Sequence, residues 1–169
     1  MITINVKLRN ELKTFELPMD MDTLKEELQD NTPILEDLEF HTDEDFSQFV
    51  NYDEGTPINL IYFNEVAELL QCAKDNYELE NLFATLDCGY TMKDFIEDNV
   101  QMDDFLFITL ENSFNEDEAL GIAIAELSGL DSQLEDLGIE FYFDYEKYGR
   151  DCRLNGNVYI ASNNVAIFM

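Results

Sequence analysis

Apolar residues change their spacing as the chain proceeds, and each change predicts a different kind of element. Ile2, Ile4 and Val6 alternate with polar neighbours, and Thr14-Phe15-Glu16-Leu17 repeats the alternation before Pro18, which predicts two antiparallel strands. Thr23-x-x-Glu26 reads as a capping box that opens a short helix with Leu24 and Leu28 on one face. Leu38-Glu39-Phe40-His41 reads as a third strand. The spacing then becomes helical. Thr56-Pro57 is a cap followed by a first-turn proline, and Ile58, Ile61, Tyr62, Val66, Leu69 and Leu70 follow on one helical stripe. A second helix starts near Asn76, turns Leu79, Leu82, Phe83 and Leu86 inward, and stops at Gly89. Thr91-x-x-Asp94 opens a third, short helix.

From Asp104 the pattern is strand-like again. Phe105 to Leu110 is rich in apolar and β-favouring residues, and a helix from about Asn115 (Ala119, Leu120, Ala123, Ile124, Leu127) ends at Gly129. The last residues form a hairpin of Val158–Ala161 and Val165–Phe168 around Ser162-Asn163-Asn164, since Asn tolerates positive φ. Ile139–Tyr148 fits two periods: Ile139, Phe141, Phe143 and Tyr145 alternate as in a strand, while Phe141, Tyr145 and Tyr148 share a helical face. The expectation is an α+β chain of three small domains: a mixed N-terminal domain over residues 1–55, an all-helical middle over 56–102, and an α+β domain with an antiparallel sheet over 103–169.

Charge changes the picture more than any motif. The chain carries 38 Asp and Glu against 9 Lys and Arg in 169 residues, a formal net charge of −29. Glu26 to Ala73 and Asp94 to Glu146 contain neither Lys nor Arg. Self-repulsion of this size opposes a compact state, so a folded chain that bears it has a use for it or an acidic, halophilic setting behind it. The acids are interleaved with Leu, Ile, Phe and Tyr, which a disordered acidic segment lacks. The chain reads as a folded body with a negative surface.

Catalysis has little to stand on. His41 is the only histidine, the seven glycines form no phosphate loop, and acidic pairs are too common for one to stand out as an acid–base couple. Cys72, Cys88 and Cys152 have no metal-ligand spacing, and their odd number argues against a disulfide framework and for a reducing cytoplasm. No apolar run approaches the roughly 18–20 residues a membrane-spanning helix needs, and no cofactor is expected. Asp43, Asp45, Ser47, Asn51 and Glu54 fall on calcium-loop positions, but Gln48 stands where the loop needs glycine. Cys72 and Cys88 read as small core residues, and Phe141, Tyr142, Phe143, Tyr145 and Tyr148 as an aromatic core cluster.

The acidic surface is what remains. Duplex DNA carries two negative charges per base pair, so −29 equals the charge of about 15 base pairs. A rigid body with distributed carboxylates fits a groove lined by Lys and Arg. A bland acidic protein has the same composition, and composition alone does not choose between them.

Phe143-Asp144-Tyr145-Glu146-Lys147-Tyr148-Gly149-Arg150-Asp151, then Leu154-Asn155-Gly156 and the final hairpin, resembles the ArdA antirestriction proteins, whose run here is aromatic–Asp–Tyr–x–x–aromatic–Gly–Arg–Asp. The order of elements agrees over nearly the whole chain, through Phe15–Leu28, Glu39–Asp43 and Ile58–Leu70. Cys152 and Arg153 stand where the family more often has apolar or acidic residues. The resemblance implies an elongated, non-catalytic protein whose curved acidic surface imitates bent B-DNA, occupies the DNA groove of type I restriction–modification enzymes, and dimerises through the third domain. It implies a protein partner rather than nucleic acid or membrane, and carriage on a mobile genetic element. The competing reading is an acidic adaptor or calcium-binding protein.

On the mimicry reading the partner-facing acids are Asp43, Glu44, Asp45, Asp53, Glu54, Glu97, Asp98, Asp103, Asp104, Glu116, Asp117, Glu118, Glu135, Asp136, Asp144 and Glu146. Arg150 is assigned to internal pairing. Val158–Phe168 and Phe105–Leu110 contain no charge, so a homodimer would use this sheet, with Phe105 and Phe107 as its contacts.

Overall fold

The computed structural model of the chain describes residues 2–8, 11–28, 46, 49–50, 59–111, 115–156 and 158–169. Its architecture is mixed α+β, with two small antiparallel sheets and seven α-helices among the described residues. They pack as two compact units, Met1–Leu79 with Thr91–Asn99, and Glu80–Tyr90 with Val100–Met169. Helix-rich segments occur in both units, Leu60–Leu79 and Thr91–Asn99 in the first and Glu80–Tyr90 in the second.

In the first unit, β1 (Ile2–Leu8) and β2 (Glu11–Leu17) pair in register Ile2 to Leu17, Ile4 to Phe15 and Val6 to Lys13. The alternation in the sequence puts Ile2, Ile4, Val6, Phe15 and Leu17 on one buried face. Helix α1 (Met21–Leu28) buries Leu24 and Leu28 as its spacing predicts. Its cap is Asp20 rather than Thr23. The Asp20 carboxylate accepts from the Thr23 backbone N–H and hydroxyl, both at 2.9 Å, which starts the helix earlier than the Thr23-x-x-Glu26 pattern suggests and holds that carboxyl below the usual range.

Helix α2 (Leu60–Asp75) is capped by Asn59, whose side chain accepts from Tyr62 N. Thr56, Pro57 and Ile58 lie outside the described residues, as does the expected strand at Leu38–His41. Leu60, Phe63, Val66, Ala67 and Leu70 are buried, with Phe46 packed edge-on against Phe63. Asn64 is fully buried and fully used: its Oδ1 accepts from Met19 N at 2.8 Å, and its amide donates to Met19 O and to Glu68, each at 3.0 Å. That clamp ties α2 to the segment leading into α1. Helix α4 (Met92–Ile96) completes the unit. It starts where Thr91-x-x-Asp94 is expected to open it, and the pair forms a capping box, with the Asp94 carboxylate accepting from Thr91 N at 2.6 Å and from the Thr91 hydroxyl at 2.7 Å.

The second unit is built on a three-stranded sheet in the order β3 (Leu106–Thr109), β5 (Val165–Phe168), β4 (Val158–Ile160). The predicted hairpin is present, and Asn164 takes φ 60° at its turn. The central strand β5 is covered on both faces. Val165 and Ile167 pack with Ala84 of α3 (Leu79–Asp87) and with Ala161, while Ala166 packs with Leu110 and with Ala119 and Leu120 of α5 (Glu116–Ser128). Helix α5 starts at its Asn115 cap and ends at Gly129 with φ 72°, both as expected, and α6 (Leu130–Asp136) follows directly.

Ile139–Tyr148 forms neither a strand nor one continuous helix, and only Tyr145–Tyr148 is α-helical. A 3-10 turn at Glu140–Tyr142 leads to α7 (Tyr145–Asn155), and the Asp144 carboxylate caps α7 by accepting from Lys147 N at 2.9 Å. Helices α5 and α7 cross at two glycines in backbone contact. A Cβ on Gly149 would lie 1.9 Å from the Asp117 carbonyl oxygen, and one on Gly121 would lie 1.9 Å from that of Tyr145.

Candidate functional site

The charge of the described residues is carried at the surface. None of the Asp or Glu side chains among the described residues is buried. Carboxylates cannot enter an apolar interior unpaired, so each helix keeps them on its outer face. Glu97, Asp98, Asp103, Asp104, Glu116, Glu118, Glu135, Asp136, Asp144 and Glu146 are all exposed, and Asp117 is half-exposed. Asp43, Glu44, Asp45, Asp53 and Glu54 lie outside the described residues, and so does nearly all of the calcium-like pattern. Among the described residues no group of three or more His, Cys, Asp or Glu side chains is placed to hold a metal ion.

Some of the scarce cations are occupied. Lys13 pairs with Glu27 at 2.6 Å, Lys93 with Glu97 at 3.2 Å, and Arg153 with Asp117 at 2.8 Å. Arg150 lies 3.9 Å from Glu146 one turn earlier, the internal pairing expected of it, though at the outer limit of contact. Its neighbour Arg153 makes the stronger tie, joining α7 to the first turn of α5 through both Nε and Nη2. Among the described residues no cation reaches ion-pair distance of Asp98, Asp103, Asp104, Glu116, Glu118, Glu135, Asp136 or Asp144.

Local structure tells the acids apart. Glu116, Asp117 and Glu118 occupy the first turn of α5, where unsatisfied N–H groups and the positive end of the helix dipole favour carboxylates. Asp104 accepts from Gln101 N at 2.8 Å, and Asp144 caps α7, so both also hold backbone turns. Glu135 and Asp136 sit at the other end of a helix, in the last turn of α6, where the dipole opposes them. Asp98 follows the end of α4 in the same way. These carboxylates cost the fold stability and do nothing visible for it.

The Asp144–Asp151 run is mostly a packing device. Phe143 meets Tyr145 and Tyr148 edge-on, with ring centroids 4.9 Å and 5.4 Å away. The Tyr145 hydroxyl donates to Asp131 at 3.1 Å, and Gly149 allows the crossing with α5. Burial and then the Asp131 contact push the Tyr145 phenol above its ordinary pKa. The expected aromatic cluster is thus only partly core: Phe141 and Tyr142 point outward, 90% and 87% exposed. The spacing misses Gly121, because one glycine in a helix carries no signal until its partner helix is known.

The uncharged sheet is also divided. Phe105 and Phe107 pack against each other and against the Ala84–Ile167 cluster, with Tyr90 5.1 Å from Phe105. Leu106 is the apolar side chain that edge strand β3 exposes. Beside it, Ile108, Ala119, Ile122, Ala123 and Leu127 line a groove of about 530 Å³ between β3 and α5, rimmed by Glu111, Glu118 and Glu126. No helix among the described residues is long and apolar enough to cross a membrane.

A family model described as antirestriction protein (ArdA) matches residues 11–166. No curated protein matches the chain.

Proposed function

The chain belongs to the ArdA family of antirestriction proteins, and from that premise we propose that it is a non-catalytic inhibitor that occupies the DNA groove of a type I restriction–modification enzyme as a mimic of the duplex. The observation that carries the reading is that no described carboxylate is buried, while Lys13, Lys93 and Arg153 are drawn into pairs within the molecule. A groove built to hold phosphates meets an array of carboxylates instead. The attraction is a sum of many weak, screened contacts, so affinity falls steeply as salt rises. The partner is a protein, the site of action is the cytoplasm where such enzymes meet DNA, and the inhibitor works as a homodimer joined through the sheet of its C-terminal part.

Displacement of DNA from a type I methyltransferase core, followed across a salt series, tests the proposal. A large excess that displaces no DNA at low salt would end it, and a flat salt response would remove the electrostatic mechanism. Neutralising Glu97 or Asp98 singly should shift the midpoint little. Converting Glu97, Asp98, Asp103, Asp104, Glu116 and Glu118 together to amides should lose affinity cumulatively and flatten the salt dependence. One amide substitution that abolished inhibition in a folded protein would point to a discrete site in place of an array.

A further inference from the structure

We propose that the turn between α6 and α7 is an apolar anchor within the acidic surface, and that Phe141 and Tyr142 insert into an apolar recess bordered by Lys and Arg on the partner protein. The inference rests on the mimicry reading and adds a component to it that charge alone does not supply. Leu137, Ile139, Phe141 and Tyr142 are exposed by 71%, 42%, 90% and 87%, within six consecutive residues. Single exposed apolar side chains need no explanation, but a cluster containing two nearly bare aromatic rings marks an interaction site.

The turn is held rigid, which separates an anchor from a loose loop. Leu134 is buried beneath it. Gly138, at φ 64°, reverses the chain, with its N–H on Glu135 O at 2.9 Å and that of Ile139 on Leu134 O at 3.0 Å. The N–H of Tyr142 donates to Ile139 O at 3.0 Å and that of Phe143 to Glu140 O at 3.1 Å. Phe143 is pinned between Tyr145 and Tyr148, and Asp144 fixes the start of α7. The backbone that carries the exposed rings is thus ordered before binding, so little entropy is lost when they are covered.

Charge names the occupant. Glu135, Asp136, Glu140 and Asp144 flank the two rings along the chain, and Glu135 and Asp136 stand in the last turn of α6 against its dipole. A second copy of the chain would bring the same carboxylates to face these, and like charges across an interface are strongly unfavourable. A basic wall with an apolar recess satisfies both halves of the patch. Aromatic anchors ringed by polar contacts are the usual centres of binding energy at protein interfaces.

The test is the double substitution Phe141→Ser with Tyr142→Ser, compared with wild type and with Glu135→Gln/Asp136→Asn in DNA displacement from a type I methyltransferase core across salt. Both positions are exposed, so the fold should survive, and circular dichroism checks it. The aromatic variant should bind about 10- to 100-fold more weakly at every salt concentration, with the wild-type salt slope. The carboxamide variant should show a shallower slope. Wild-type affinity in the aromatic variant at all salts would overturn the inference and leave the mimicry reading standing. Loss of self-association on sedimentation would overturn it by giving the patch to a second copy. Wild-type protein that displaces no DNA would overturn both.

Discussion

Replacing Gly149 by alanine sets two effects of opposite sign against each other. Mid-helix glycine is intrinsically poor, and alanine there would ordinarily gain about 0.5–1 kcal/mol. Here the new methyl would lie 1.9 Å from the Asp117 carbonyl oxygen and 2.6 Å from Gly121 N, where ordinary contact begins at 3.4 Å. The atoms it meets are backbone, so no side chain can swing aside, and α5 and α7 must part by about 1.5 Å. Overpacking of this kind typically costs about 1–3 kcal/mol. The displacement also stretches the Arg153–Asp117 pair and the Tyr145–Asp131 hydrogen bond, which both tie α7 to its neighbours. Sterics wins, with a net loss of about 1 kcal/mol after the propensity gain is subtracted. For a chain of this size that lowers Tm by roughly 2–4 °C. Urea and thermal unfolding followed by circular dichroism measure it, with Asp151→Ala, an exposed position on the same helix, as a control expected to stay within about 0.5 kcal/mol. A Gly149→Ala protein as stable as wild type would refute the argument that this glycine of the family run is there for helix packing.

Leu106→Asp should turn a dimer into a monomer in sedimentation while leaving the monomer folded, because Leu106 is exposed on edge strand β3 whereas Phe105 and Phe107 pack inward; a wild-type monomer at micromolar concentration, or a dimer indifferent to the change, would count against assembly through this sheet. Alkaline pH should destabilise the protein, since burial, followed by the Glu97 charge, raises the Tyr62 phenol above 10.0. The stability tied to a raised pKa is fully present below about pH 10 and is lost as pH climbs through the folded-state value, so urea midpoints that fall above pH 10 in wild type should fall less in Tyr62→Phe, and identical slopes would refute the assignment.

Sequence was most readable where one residue sufficed to define a local structure. Alternation in Ile2–Val6 specified a one-sided strand, Asn115 and Gly129 marked the two ends of α5, and Thr91 with Asp94 opened the short helix their spacing promised. It was least readable where two segments had to meet. Asp20 outcompetes Thr23 as a cap because its carboxylate reaches Thr23 N, and that depends on how the chain leaves β2. Asn64 reads as a polar residue in an apolar stripe until Met19 closes on it from the neighbouring segment. Ile139–Tyr148 satisfied both periods, and the structure divides it between a 3-10 turn and the start of α7 at the Asp144 cap. The acidic surface was legible as composition, but which acids also build the fold was not.

That last distinction narrows the search for functional carboxylates. An acid at a helix N-terminus earns stability from the dipole or from a backbone N–H, as Glu116, Glu118 and Asp144 do, so its presence has a local explanation. Glu135 and Asp136 have none. They stand at a helix C-terminus, with no cation among the described residues in reach, in a chain whose net charge already opposes folding. Each such residue works against the dipole by a few tenths of a kcal/mol, an amount that any neutral substitution would recover. On the mimicry reading, positions that carry charge against local stability are where an external partner would offset the cost. Glu135 and Asp136 precede the exposed rings of Phe141 and Tyr142 by a few residues, so acids with the weakest local reason to exist share one short segment of chain with two exposed aromatic side chains.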